Sequence, residues 1–130
     1  MKTVKTLMII DDDDVFVFLI KKGIEKAQVV EKIIVFDNGM DSINYLKENF
    51  QNPDMLPEII LLDLSMPIMD GWQFLEEYTL LKPKIEKKML IYLVTSSISP
   101  EDLKAAKSIN AVSDFIVKPI TAEKLLEILK

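Results

Sequence analysis

The sequence predicts an α/β fold: a doubly wound, parallel five-stranded sheet with helices on both faces. Two observations carry that prediction. Five short runs rich in Ile, Val and Leu recur at residues 6–10, 32–36, 58–62, 90–94 and 114–117, and most do not alternate with polar residues. Such runs suit strands buried on both faces. Each is followed by a stretch of helical length with apolar residues three or four apart. Strand and helix therefore alternate five times, which implies right-handed crossovers and a parallel sheet.

The elements follow in order. The first strand runs into four aspartates, Asp11, Asp12, Asp13 and Asp14. The first helix, 14–27, sets Phe16, Leu19, Ile20, Gly23 and Ala27 toward the core, with Asp13 or Asp14 as its cap. The second strand leads to Asp37 and then Asn38-Gly39, which reads as a turn before a helix over 41–50 carrying Ile43, Leu46 and Phe50. Residues 51–57 read as a loop, and the third strand ends at Asp63. Asp70 caps a helix over 70–81 that packs through Phe74, Leu75 and Tyr78, with Trp72 as a further packing residue. The basic stretch 82–88 reads as a solvated connection. The fourth strand ends at Thr95, Ser96 and Ser97. Ser99 before Pro100 opens a helix over 100–109 with only Leu103, Ala106 and Ile109 to bury, the weakest amphipathic pattern of the five. The fifth strand ends at Lys118-Pro119, and Thr121 opens a last helix that packs through Leu125, Ile128 and Leu129.

Composition narrows the chemistry. A chain of 130 residues, 49% hydrophobic, suits one domain over 1–130 with one well-filled core. There is no cysteine and no histidine. That excludes disulfides, thiolate or imidazole metal sites, and catalysis by a cysteine or histidine. Any metal must be held by oxygen, as magnesium, calcium and manganese are. A net charge of −5 argues against a nucleic-acid partner. The N-terminal apolar run is too short for a signal peptide or a membrane span, so the expectation is a cytoplasmic protein with no membrane contact.

In an open parallel sheet, functional groups collect beyond the carboxyl ends of the strands. Here that edge gathers a carboxylate cluster, the aspartate Asp63, the hydroxyls of Thr95, Ser96 and Ser97, and Lys118. Acids at two strand ends can hold a hard divalent cation. A carboxylate can attack phosphorus to give an acyl phosphate. The cation, a lysine and a hydroxyl or N–H would then each neutralise one phosphoryl oxygen.

Four blocks, MIIDDDDV, IILLDLSMPIMDGW, LIYLVTSS and FIVKPIT, occur in that order along the chain. Together they resemble the signature blocks of response regulator receiver domains, of the CheY-like, stand-alone type, across essentially the whole chain. The resemblance implies a flavodoxin-like strand order, 2-1-3-4-5. It implies that Asp63 accepts a phosphoryl group from a histidine kinase or histidine phosphotransfer protein. Asp11 and Asp12 would hold Mg2+ together with Asp63 and the Ser65 backbone carbonyl. Thr95 would be the hydroxyl that moves toward the phosphoryl group, Lys118 its counter-charge, and Phe115 the aromatic that reports the switch. Met66, Pro67 and Gly71 would shape the loop after the acceptor, and the Lys118-Pro119 bond would be cis. Ser65 and Ser97 depart from the commonest pattern, which bears on phosphate lifetime. The domain would catalyse only its own phosphorylation and dephosphorylation. With no output domain following, its output would be a contact with an unknown downstream protein or onward phosphotransfer.

Rival readings exist. Asp11, Asp13 and Val15 match the nucleophile spacing of a haloacid-dehalogenase-type phosphohydrolase, but only 12 residues follow Lys118, too few for its further acidic motif. A calcium loop fails because Phe16 and Lys22 stand where glycine and a bidentate glutamate are needed. A receiver-like module that is never phosphorylated would not need all five key positions filled.

Overall fold

A computed structural model describes residues 4–66, 68–96, 99–109 and 111–129. Five strands, β1 (Val4–Ile10), β2 (Val30–Phe36), β3 (Ile59–Asp63), β4 (Leu90–Thr95) and β5 (Val112–Val117), form one parallel sheet in the order β2-β1-β3-β4-β5. Five helices connect and flank them: α1 (Asp14–Ala27), α2 (Gly39–Asn49), α3 (Gly71–Leu81), α4 (Pro100–Ser108) and α5 (Ala122–Leu129). The predicted fold class and strand order hold.

Period-two alternation divides the core. Leu7, Ile9, Ile59, Leu61, Val94 and Ile116 face α1 and α5. Met8, Ile10, Ile60, Leu62, Ile91 and Leu93 face α2, α3 and α4. Every residue of β3 is buried, as a central parallel strand requires. The same alternation aims the functional side chains. Asp63 continues the row of Ile59 and Leu61, on the α1 side. Thr95 and Phe115 continue the row of Ile91 and Leu93, on the α3–α4 side.

Some expectations are corrected. Leu19 is 62% exposed, and α1 instead buries Phe16, Ile20 and Ile24. Apolar residues lie on more than one face of α1, with Val15, Phe18 and Leu19 all exposed, so period alone does not select the buried stripe. Asn38-Gly39 is not a turn ahead of a helix. Asn38 is the cap of α2, its Oδ1 accepting from Asp41 N–H at 2.8 Å, and Gly39 is the first helical residue. The loops at 51–57 and 82–88 each contain one turn of 3-10 helix, at Pro53–Met55 and Lys82–Lys84. Nor is the basic loop wholly solvated: Lys87 Nζ donates to Leu56 O at 2.8 Å and Pro53 O at 3.0 Å, and pairs with Glu58 at 3.5 Å. Among the described residues no helix is long and apolar enough to cross a membrane.

Candidate functional site

Local structure sets each side chain at the carboxyl edge. Asp11 N–H donates to Phe36 O at 2.9 Å, which carries the β1–β2 ladder one residue past the strand. Lys118 N–H does the same to Thr95 O at 2.7 Å and ties the end of β5 to the end of β4. The Lys118-Pro119 peptide is cis. Asp63 pairs in register with Val94, so Thr95 lies one step beyond it on the neighbouring strand.

Two glycines let the neighbouring loops close on this edge. A Cβ on Gly71 would lie 2.5 Å from Asp63 O and 2.9 Å from Leu64 Cα, so α3 starts against the backbone of Asp63 only because no side chain intervenes. A Cβ on Gly39 would lie 2.7 Å from Met69 O, where Gly39 N–H donates at 3.0 Å. Met66 is half-buried and packs on the core near the loop. Pro67 and Ser97 lie outside the described residues.

The four aspartates separate. Asp11 is buried, and its Oδ1 accepts from Asp13 N–H at 2.9 Å. Its Oδ2 lies 3.0 Å from Lys118 Nζ, yet makes no well-directed hydrogen bond. The contact is a buried ion pair. Asp12 is exposed, and it offers a carboxylate oxygen that lies within 4.8 Å of one from Asp11 and one from Asp63. Asp13 caps α1, its Oδ1 accepting from Phe16 N–H at 3.1 Å, while its Oδ2 lies 3.6 Å from Lys118 Nζ. Asp14 opens the first turn of α1, where the helix dipole favours negative charge.

Electrostatics follow from this crowding. Burial first, and then the charge of Asp11, push the Asp63 carboxyl up to about 6. Asp63 still accepts a hydrogen bond from Ser65 N–H at 3.3 Å. Burial also raises Asp11 against the opposing pull of Asp13 N–H and Lys118. For Lys118 burial opposes the charge, but Asp11, Asp63 and Asp13 together outweigh it and hold the ammonium above its ordinary pKa. The N–H of Phe16 lowers Asp13. Three acids presenting one carboxylate oxygen each within 4.8 Å of one another fit a hard divalent cation. Sequence reading found Asp11, Asp12, Asp63, Thr95 and Lys118 for this edge. It missed the second contact of Asp13 and the ring of Phe16, which lies 4.4 Å below Lys118 Nζ.

An acidic, cation-ready pocket at the carboxyl edge of a 2-1-3-4-5 sheet, with a lysine paired to its buried Asp11, defines a phosphoryl-accepting signalling domain. The chain belongs to the response regulator receiver domain family, whose profile matches residues 7–130. It is 27% identical over 123 residues to the chemotaxis protein CheY of Listeria monocytogenes, covering 95% of this chain and 94% of that one. It is 26% identical over 119 residues to the probable methanogenesis regulatory protein FilR2 of Methanothrix harundinacea, covering 92% of this chain and 75% of that protein. A two-component response regulator from Cytophaga hutchinsonii superposes with a TM-score of 0.79 at 30% identity, covering 98% of each chain. The phosphohydrolase reading is overturned. The profile is that of receivers, and Asp13, its required second acid, spends one oxygen on the α1 cap and turns the other to Lys118.

Proposed function

We propose that Asp63 is the phosphoacceptor of this receiver, with Mg2+ held by Asp11, Asp12, Asp63 and the Ser65 carbonyl. The observation that carries the reading is the meeting of three carboxylates within 4.8 Å beside a lysine whose side chain is 14% exposed. An oxygen of Asp63 attacks the phosphorus of a phosphohistidine, the P–N bond breaks, and the imidazole leaves with the bonding pair. When bound, the cation neutralises charge on the phosphoryl oxygens. Lys118 pairs with a second oxygen, and the Thr95 hydroxyl donates to a third. Asp63 must be ionised to attack, and the cation that holds it also favours that form.

The dianionic product draws Thr95 inward. Phe115, half-buried on the same face of the sheet, follows into the vacated space and alters the surface of α4, β5 and α5. Residues 1–130 act as one receiver domain in the cytoplasm, turning over no substrate beyond their own phosphoryl group. The donor is a histidine kinase or histidine phosphotransfer protein, and the output is a protein contact or onward phosphotransfer.

Incubation with acetyl phosphate and Mg2+ followed by intact-mass measurement tests the assignment. One added phosphoryl mass, absent in Asp63→Asn, is expected; a gain that survives Asp63→Asn overturns it. Beryllofluoride titration followed by NMR tests the switch, and unmoved resonances around Phe115 would contradict it.

A further inference from the structure

We propose that Phe16 is a positioning residue that holds the Lys118 ammonium for the phosphoryl group; the inference rests on the receiver reading above. Lys118 Nζ lies 4.4 Å over the centre of the Phe16 ring, 3.0 Å from Asp11 Oδ2 and 3.6 Å from Asp13 Oδ2. Phe16 is 7% exposed and belongs to the buried cluster that includes Ile20, Ile116 and Leu125, so its ring lies in the core beneath the lysine. The backbone of Phe16 is fixed. Phe16 N–H donates to Asp13 Oδ1, while Asp13 Oδ2 faces the ammonium above the ring. One carboxylate thus ties together the start of α1, the lysine and the aromatic beneath it.

Burial alone does not call for an aromatic here. Position 16 belongs to the core row 16, 20, 24 of α1, whose other members are isoleucines. A branched aliphatic would fill the core but offer no negative face to a cation. The distinction matters because of how an ammonium is held. Carboxylates neutralise it and occupy its three N–H groups. A ring attracts the charge without accepting a conventional hydrogen bond. Lys118 therefore stays in place with an N–H available when a phosphoryl oxygen arrives, and the more distant, exposed partner Asp13 is the one displaced. Among the described residues no ion pair within 4.0 Å joins Lys118 to Asp63, so the lysine's resting position depends on Asp11, Asp13 and the Phe16 ring.

The test combines substitution with graded fluorination, which drains the ring's negative face while keeping its shape. Phe16→Leu is expected to slow phosphorylation by acetyl phosphate at saturating Mg2+ by about five- to tenfold. Mono-, di- and trifluorophenylalanine at position 16 should slow it stepwise between those limits. In the unphosphorylated protein, the Lys118 Hε protons should resonate upfield of other lysines through the ring current and return to the ordinary position in Phe16→Leu. A rate that stays flat along the fluorinated series while Phe16→Leu falls would show a packing role only and overturn the proposal. So would ordinary Hε shifts in the wild type. If the wild type takes up no phosphoryl group, the receiver reading fails instead, and the Hε shifts still decide whether Phe16 holds Lys118.

Discussion

At Asp63 burial, reinforced by the charge of Asp11, works against the ionised form. The group titrates at about 6 in the native protein, against 3.8 ordinarily. Between those values the folded state binds more protons than the unfolded chain, so this group's contribution to stability falls as pH rises through that window. Asp63→Asn removes the buried charge and keeps an acceptor for Ser65 N–H. With metal chelated at pH 7.5, it should stabilise the protein by about 2 kcal/mol, and the gain should vanish below about pH 4. Urea unfolding of both proteins across that range checks the sign. Ile68 carries a separate strain. It is β-branched and 75% exposed, with φ at 69°, a region that costs such residues about 1–2 kcal/mol. Ile68→Asn should raise stability by about 1 kcal/mol in the same assay. Asp11, Asp12, Asp63, Thr95 and Lys118 were legible because strand ends show in the hydrophobic pattern, and parallel strands bring like ends together. Phe16 under Lys118 was not, because nothing in local periodicity tells a helix residue which distant lysine will cross its ring.

Helix ends explain why the elements stop and start where they do. Asp70 and Gln73 form a reciprocal capping box at α3: Gln73 N–H donates to Asp70 Oδ1, and Asp70 N–H donates to Gln73 Oε1, each at 2.9 Å. Asp70→Ala should cost about 1 kcal/mol in chemical unfolding. The same helix begins against Asp63 O, so Gly71→Ala should cost about 1–3 kcal/mol and also slow acetyl phosphate labelling, because α3 or the Asp63 backbone must move. Here Asp13, Asp70, Ser99 and Thr121 were readable as caps from residue type and position, since capping is local chemistry. Asn38 is not legible as a cap from its dipeptide, because Asn-Gly marks turns and helix starts alike. What decides between them is Gly39 N–H donating to Met69 O, a contact made by a distant loop. The exposure of Leu19 has a related reason: α1 carries apolar residues on more than one face, and the sheet and α5 cover the face of Phe16, Ile20 and Ile24.

For the whole molecule, the site links binding to stability. A cation that binds only the folded chain should stabilise it by about 2.7 kcal/mol at a hundred times its dissociation constant. Mg2+ should therefore raise the thermal midpoint by several degrees, and Asp12→Asn should largely abolish the rise. Asp12 is exposed, so the substitution leaves the core intact. Calorimetry with and without EDTA measures both. The sequence by itself determined the alternation of strands and helices, the burial of the sheet on both faces, and the edge where acids, hydroxyl and lysine gather. All of these follow from hydrophobic period and chain order, which are local quantities. Only the tertiary structure decided how the four aspartates divide their work. Asp11 lies buried against Lys118, Asp12 turns outward toward Asp63, and Asp13 links the α1 cap to the lysine above the Phe16 ring. Adjacent residues of one type carry the same local preferences. Their roles part only when the ends of β1, β3 and β5 meet and each carboxylate acquires its own burial and its own neighbours.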